Sequence, residues 1–247
     1  MVHFKEAIAL PFQNFKNLTL GALFFSISSA ASALGTYAQD NPQLLTFQIG
    51  LSFLGILISL VASGYALITA RTAIKHKFVL LEFDGLFNFF IKGLLAAIIF
   101  FIYSLPVLLL LFITAIVAVF SSFSLNPAAL LSMIPAVFVL FILMLLVIYV
   151  APAALLAYIE KDNFARAFDV RFVFSKAFTG LWLGATLASI LYSFALLLGA
   201  GLLAFIFNLI PLPPLSILLT AIVTSYVSMI TTLTYYTMLA DAYGEIK

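Results

Sequence analysis

The chain has 247 residues, of which 65% are hydrophobic and only 8% are charged, with a formal net charge of +2. A soluble domain carries about a quarter charged residues, so this composition excludes a chain that presents a water-covered globular surface. Disorder is excluded as well, because disordered segments are poor in aromatic residues, which make up 15% of this chain.

Long uncharged tracts predict six transmembrane helices. No charged residue occurs from Gly93 to Ile159 or from Ala177 to Ala240, and Asp40 is the only one between Asn17 and Ala70. A bilayer-spanning helix needs about 20 apolar residues, so each of the two longer tracts holds two spans and a turn. The predicted spans are Leu18–Tyr37, Leu44–Ala70, Gly93–Phe120, Leu130–Ile159, Ala177–Phe207 and Leu215–Ala240. The predicted fold class is an all-α integral membrane protein, a six-transmembrane helix bundle that forms one membrane domain over residues 1–247.

Polar and proline residues between the apolar tracts mark the predicted turns. They occupy Gly35–Pro42, Asn126-Pro127 and the stretch from Asn208 to Pro214. Pro106 and Pro152 lie inside predicted spans instead, where proline is the usual cause of a kink.

Basic residues predict the orientation in the membrane. Ten of the eleven Lys and Arg residues lie in the N-terminal segment, from Arg71 to Lys92, or from Lys161 to Lys176, and the eleventh is Lys247. With six spans these regions share one face, which the positive-inside rule makes cytoplasmic. The sequence therefore predicts a multi-pass protein of the cell membrane with cytoplasmic N- and C-termini. Acidic residues are interleaved with the basic ones, which weakens the case for a specific anionic-lipid site.

A Phe-rich segment that ends in one lysine precedes the first, third and fifth predicted spans. Aromatic residues on one side of a helix and charged residues on the other are typical of a helix in the headgroup layer. We expect interfacial elbow helices here, in three pseudo-repeated helical hairpins over residues 1–76, 77–161 and 162–247. The alternative is that any linker between apolar spans has a similar mixed composition. The predicted elbow residues are Phe83, Phe87, Phe90, Lys92, Phe164, Phe168, Arg171 and Lys176.

Two blocks of sequence carry a family resemblance. The first runs from Glu82 through Gly93 to Pro106, and the second runs from Pro152 to Phe168. Together they resemble an uncharacterised multi-spanning prokaryotic membrane protein family of unknown function, abundant in archaea. The resemblance extends from about Gly50 to the C-terminus and implies the membrane architecture, but it implies no activity and no catalytic residues.

Residues suited to catalysis or metal binding are few. His3 and His76 both lie in predicted cytoplasmic segments, and neither belongs to a recognised metal-ligand motif. The chain contains no cysteine, which excludes thiolate ligands and cysteine nucleophiles. We therefore expect no catalytic residue, no metal site and no cofactor. A divalent-cation site formed by the cytoplasmic acids, with phosphate chemistry, is the less favoured alternative to ordinary solvated carboxylates.

The sixth predicted span carries a polar stripe at helical spacing. Its residues are Thr220, Thr224, Ser228, Thr231 and Tyr235. The stripe could line a path or hold a polar headgroup, but Ser and Thr also serve helix packing, which we favour. Small residues elsewhere, including Gly55 and the pair Gly180 and Gly184, likewise predict close helix contacts within one chain or between chains.

These features predict a non-enzymatic integral membrane protein that binds lipid or a partner membrane protein. The alternative is a small permease for a neutral or amphipathic solute, and a phosphate- or lipid-processing enzyme ranks third. The absence of charged residues from the span centres argues against proton coupling. The expected partners are membrane lipids and another membrane protein or a second copy of the chain, without nucleic acid. A dry bundle favours the first function, and a polar cavity at mid-membrane favours the second.

Overall fold

A computed structural model describes residues 3–38, 42–123 and 134–246 of the chain. These residues form eight α-helices and two short 3-10 turns, with no β-strand among them. The 3-10 turns cover Leu10–Phe12 and Phe164–Phe168. The helices are α1 Phe4–Ala9, α2 Phe15–Ala38, α3 Pro42–Ile74, α4 Leu86–Phe123, α5 Ile134–Lys161, α6 Val170–Ala177, α7 Gly180–Phe207 and α8 Pro213–Glu245.

Five of these helices are long and apolar enough to cross a membrane, which makes the chain a multi-pass membrane protein of helical type. The apolar stretches are Leu44–Ile74, Leu86–Val119, Ile134–Lys161, Gly180–Phe207 and Leu215–Glu245. The first predicted span coincides with α2, which is helical but does not belong to these five. Six spans therefore stay a prediction. The predicted turns at Asp40-Asn41 and Asn126-Pro127 lie outside the described residues.

The six long helices alternate in direction, so one end of the bundle collects the starts of α2, α4 and α7 and the ends of α3, α5 and α8. Every Lys, Arg, Asp and Glu residue of the described chain lies at this end, in the helix ends or their connections. We call it the charged end. Helix α3 is central, since it packs against α2, α4, α5 and α8.

The buried core also lies at the charged end. Most fully buried side chains come from the last turns of α3, α5 and α8 and from the first turns of α7. Trp182 of α7 is completely buried, and its indole N–H donates to the carbonyl oxygen of Tyr149 at 3.2 Å. Away from this end, the apolar side chains of α4, α5 and α7 are mostly exposed and would contact lipid, among them Leu109, Phe112, Phe138, Phe141, Leu202 and Phe205.

Helices α3 and α4 touch through two glycines near the charged end. A Cβ atom at Gly64 would lie 1.8 Å from the carbonyl oxygen of Phe89, and one at Gly93 would lie 1.8 Å from that of Leu60. Only glycine permits such a close approach of two helix backbones. Gly55 packs similarly against Ser28, whereas Gly180 and Gly184 have no neighbouring atom within 4 Å of the Cβ position in this structure.

The elbow segments differ from their prediction in the second hairpin. Residues from Phe83 to Gly85 are not helical, and Leu86–Lys92 form the first turns of α4 instead of a separate interfacial helix. Gly85 has a φ of +81° and turns the chain into α4, and its carbonyl oxygen accepts the N–H of Asn88 at 2.9 Å. The third hairpin does have a separate short helix, α6, before its first long helix.

Two lysines at the ends of the elbow segments make equivalent contacts. Lys92 binds the carboxylate of Asp162, and Lys176 donates to the carbonyl oxygen of Ile246. Each pair joins residues 70 positions apart. Lys176 and Ile246 lie near the two ends of the third predicted hairpin, whereas Asp162 lies one residue beyond the predicted end of the second hairpin, to which Lys92 belongs. The threefold repeat over residues 1–76, 77–161 and 162–247 stays a prediction.

Candidate functional site

A polar pocket opens at the charged end, between the first turn of α2 and the segment that leads into α4. Its volume is about 330 Å³, within the usual range for small-molecule sites. We call it the headgroup pocket, after the predicted headgroup layer at this end of the bundle. Its lining residues are Asn14, Lys16, Asn17, Leu20, Glu82, Phe83 and Asp84.

One wall of the headgroup pocket is fixed by hydrogen bonds and stacking. The buried Asn17 side chain donates to the carbonyl oxygen of Leu81 at 2.9 Å, and the Tyr65 hydroxyl donates to the same oxygen at 2.6 Å. The ring of Phe83 stacks on Tyr65 with 3.9 Å between ring centroids. These contacts hold the segment before α4 against α2 and α3, so the pocket is preformed.

Residues of opposite charge line the headgroup pocket. Lys16 belongs to the first turn of α2, Glu82 and Asp84 belong to the segment before α4, and all three are exposed. The Asn14 side chain caps α2 by accepting the N–H of Asn17 at 3.2 Å, which places the positive end of the helix dipole at the pocket. The arrangement provides donors for a phosphate beside acceptors for an ammonium group.

A second polar cluster joins three distant parts of the chain. Asp241 of α8 is fully buried, and its Oδ2 accepts the backbone N–H of His3 at 2.6 Å. Its Oδ1 lies 2.7 Å from His76 Nδ1 and 3.3 Å from His3 Nδ1. The two histidine side chains are 44% and 38% exposed, for His3 and His76 respectively. We call these three residues the His–Asp cluster.

The ends of α3 and α8 explain how the His–Asp cluster forms. Helix α3 ends in a Schellman turn, in which the N–H of Lys77 bonds the Thr72 carbonyl and His76 takes a left-handed φ of 53°. Gly244 lets α8 approach this turn, since a Cβ there would lie 2.3 Å from the carbonyl oxygen of Ile74. Asp241 lies nearly one turn earlier on α8 and therefore reaches His76.

The predicted elbow residues line the charged end. Phe164 and Phe168 pack on each other at 5.1 Å between ring centroids. Burial lowers the pKa of the Lys176 ammonium; the Glu160 carboxylate opposes this effect, and the Arg166 guanidinium adds to it. Of the eight predicted elbow residues, Phe87 and Arg171 are exposed. The other six are half-buried, namely Phe83, Phe90, Lys92, Phe164, Phe168 and Lys176. Their contact with the headgroup layer stays a prediction.

The stripe on α8 has a mixed environment. Thr224 is exposed and bonds back to the Thr220 carbonyl at 2.8 Å, whereas Thr220, Ser228, Thr231 and Tyr235 are half-buried. A neighbouring hydroxyl set faces α2 more directly. It comprises Ser225, 3.4 Å from Ser29, and Tyr226, 2.9 Å from Thr19. The packing role of the predicted stripe stays a prediction.

The sequence alone predicts neither the headgroup pocket nor the His–Asp cluster. It places His3 and His76 in cytoplasmic segments, but hydropathy contains no information on which helices are lateral neighbours. The two histidines are the only ones in the chain, and both precede or follow a predicted span on that face. That coincidence is the one signal in the sequence that points to the His–Asp cluster.

Comparison with known proteins identifies one family. Residues 47–209, about two thirds of the chain, match the family described as "Protein of unknown function (DUF4013)". The chain belongs to this family. The uncharacterised family expected from the sequence is thereby confirmed. No curated protein and no solved structure matches the chain. The DUF4013 match contains His76, Glu82 and Asp84, while Lys16 and Asp241 lie outside it.

Proposed function

We propose that this DUF4013 protein is a non-enzymatic integral membrane protein that binds a phospholipid headgroup at its charged end. The observation that carries the proposal is the headgroup pocket, which is lined by Lys16 together with Glu82 and Asp84. One cation and two anions suit a zwitterionic headgroup, in which a phosphate and a primary amine lie close together. The interleaved acids that argue against a purely anionic lipid thus favour a lipid that carries an amine.

The surroundings of the pocket support a position in the headgroup layer. Phe12, Phe15 and Phe87 flank it in the sequence and are 56%, 70% and 75% exposed. Exposed aromatic rings beside charged groups are typical of the membrane–water interface. The proposal includes six spans, with α2 as the first, and a charged end on the cytoplasmic side.

Polar groups elsewhere at the charged end support a non-enzymatic role. Lys92 binds Asp162, and Arg166 Nε lies 3.7 Å from Glu160 Oε2. Asn163 and Asp169 accept backbone N–H groups at the starts of the 3-10 turn and α6. These groups support the connections between helices and leave recognition to the headgroup pocket.

A small cavity between α2 and α8 bears on the permease alternative. Ala22, Leu23 and Ile222 line it together with hydroxyl-bearing residues, and its volume is about 60 Å³; the hydroxyl-bearing residues are Thr19, Ser26, Ser225 and Tyr226. Such a cavity holds about two water molecules at the density of the liquid. We therefore place lipid binding before transport.

The test is lipid retention by the full-length protein in detergent. The protein is exposed to equal amounts of phosphatidylethanolamine and phosphatidylglycerol, and bound lipid is measured by native mass spectrometry. We expect several-fold preferential retention of phosphatidylethanolamine, because only this lipid offers an amine to Glu82 and Asp84. Lys16→Gln should weaken retention of both lipids, since both carry a phosphate.

Matched variants separate the two halves of the pocket. Glu82→Gln combined with Asp84→Asn should abolish the preference for phosphatidylethanolamine, whereas phosphatidylglycerol should bind at least as well as before, because two carboxylates that repel it are removed. Lys75→Gln removes an exposed lysine of the charged end outside the pocket. It should change the retention of neither phosphatidylethanolamine nor phosphatidylglycerol. Equal retention of the two lipids, unaffected by all pocket variants, would contradict lipid recognition here and favour a protein partner.

A further inference from the structure

Three side chains with metal-ligating atoms converge at the charged end, outside the headgroup pocket. One nitrogen of His3, one of His76 and one carboxylate oxygen of Asp241 all lie within 4.8 Å of one another. We propose that His3, His76 and Asp241 bind one divalent transition-metal ion with the preferences of zinc. Two imidazoles and a carboxylate are a ligand set that zinc uses with water in the fourth position.

Two of the three separations between ligand atoms can be compared with those of a tetrahedral site, and the third, between the two histidine nitrogens, is at most 4.8 Å. Zinc bonds of about 2.1 Å place neighbouring ligand atoms roughly 3.4 Å apart. His3 Nδ1 lies 3.3 Å from Asp241 Oδ1, whereas His76 Nδ1 lies 2.7 Å from it, at hydrogen-bond length. The His76 nitrogen must therefore withdraw from Asp241 by about 0.7 Å to reach the separation found in a zinc site. Both rings are partly exposed, so each has room to adjust while the buried Asp241 stays fixed.

Glu245 supplies a supporting carboxylate. Its Oε1 lies 3.8 Å from His76 Nε2, on the side of the ring opposite to the cluster. A metal on Nδ1 leaves the proton on Nε2, and metal-binding histidines usually donate that proton to a carboxylate or a carbonyl. A small movement of the exposed His76 ring brings this N–H within reach of Glu245.

The expectation of no metal site rested on the spacing of residues along the sequence. Here the ligands are 165 residues apart between His76 and Asp241, and 238 between His3 and Asp241. An ion bound here would connect the segment before α1 to the ends of α3 and α8. Its role is structural, and the proposal does not depend on lipid binding in the headgroup pocket.

The experiment uses the full-length protein with its affinity tag removed, after treatment with EDTA and dialysis. Isothermal titration with zinc chloride should show one ion per chain, and cobalt(II) should give the visible absorption of a tetrahedral complex. Zinc should also raise the thermal midpoint, because an ion that binds only the folded chain stabilises it. EDTA should reverse the increase.

Three variants identify the ligands. His76→Asn removes the imidazole and retains a residue that tolerates the left-handed turn. Asp241→Asn keeps the oxygen that accepts the His3 N–H, and His3→Gln alters a side chain at the edge of the fold. Each should weaken zinc binding at least about tenfold, because even the loss of a residue that only orients a metal ligand costs about that much affinity. Asp84→Asn, in the headgroup pocket, should leave zinc affinity unchanged.

Several outcomes would overturn the metal site. If His76→Asn binds zinc with the affinity of the native protein, His76 is not a ligand. A cobalt complex without tetrahedral absorption would exclude the proposed geometry, even if Asp241→Asn failed to fold. Retained lipid selectivity in a protein that binds no zinc would reject this inference while leaving the headgroup proposal intact.

Discussion

Helix α7 contains two regions that differ sharply in their surroundings. In its first three turns one face, which carries Trp182, Ala185 and Ser189, is buried against the rest of the bundle. Beyond Ser189 no residue of this helix is buried, and Leu191 and Phe205 are 68% and 66% exposed, although both are as apolar as any core residue. The same contrast distinguishes the charged end of the whole bundle from its apolar half.

The difference reflects the two solvents of a membrane protein. Apolar side chains in the apolar half lose little by facing lipid, because lipid tails are as apolar as leucine. At the charged end, water is the competing solvent, and burial there gains the hydrophobic free energy that it gains in soluble proteins. A packed, uniquely arranged core is therefore expected at the charged end, where the candidate ligand sites also lie.

The largest effect that tests this comparison is expected from truncation of Trp182. Trp182→Ala removes a fully buried indole and its hydrogen bond to Tyr149, and should lower the free energy of unfolding by about 3–5 kcal/mol. Phe205→Ala, on the same helix but exposed, should change it by less than about 1 kcal/mol. SDS titration measures the free energy of unfolding of both variants. Equal losses of this free energy in the two variants would contradict a core confined to the charged end.

A smaller effect is expected at the close approach of α3 and α4. Gly93→Ala places a methyl group against the Leu60 carbonyl and should destabilise the protein by about 1–3 kcal/mol, because two backbones must separate. Gly199→Ala, in the apolar part of α7, meets no atom within 4 Å and should be tolerated. The thermal midpoints of the two variants in the same detergent decide the matter, and a tolerated Gly93→Ala would refute the contact.

The smallest effect is expected on α8. Ser228 is half-buried, so Ser228→Leu should overfill its contact and cost about 1 kcal/mol, at the low end for overpacking. Thr224 is exposed, and Thr224→Leu should be close to neutral. Thermal stability of both variants, measured beside lipid retention, gives the comparison. If Ser228→Leu is as neutral as Thr224→Leu, this part of the stripe faces lipid.

Much of the helical architecture is predictable because uncharged tracts are direct signals of apolar helices. The predicted span Ala177–Phe207 is observed as Gly180–Phe207, and the start shifts because the Thr179 side chain accepts the N–H of Trp182 at 3.3 Å and caps the helix. Hydropathy averages over such single hydrogen bonds. It also failed to predict that residues 86–92 continue into α4, since Gly85 alone makes the turn.

The candidate sites were not predictable in the same way. The headgroup pocket depends on Asn17 reaching the Leu81 carbonyl, and the His–Asp cluster depends on α8 lying beside the end of α3. Both are lateral neighbour relations, which are set by small residues such as Gly244 that hydropathy does not distinguish. Charge patterning could assign these groups to one face, but not to one site.

The central claim is that a phospholipid with an amine occupies the headgroup pocket at the charged end. The chain contains no cysteine, so single cysteines can be placed without a background. Leu20→Cys lies in the pocket without removing a polar contact, and Lys75→Cys lies outside it. The measurement is the rate of maleimide labelling in nanodiscs of phosphatidylethanolamine and of phosphatidylglycerol. We predict that Leu20→Cys is labelled several-fold more slowly in phosphatidylethanolamine than in phosphatidylglycerol, and that Lys75→Cys is labelled equally fast in the two lipids. If the ratio of the labelling rates in the two lipids is identical at the two positions, the claim is contradicted.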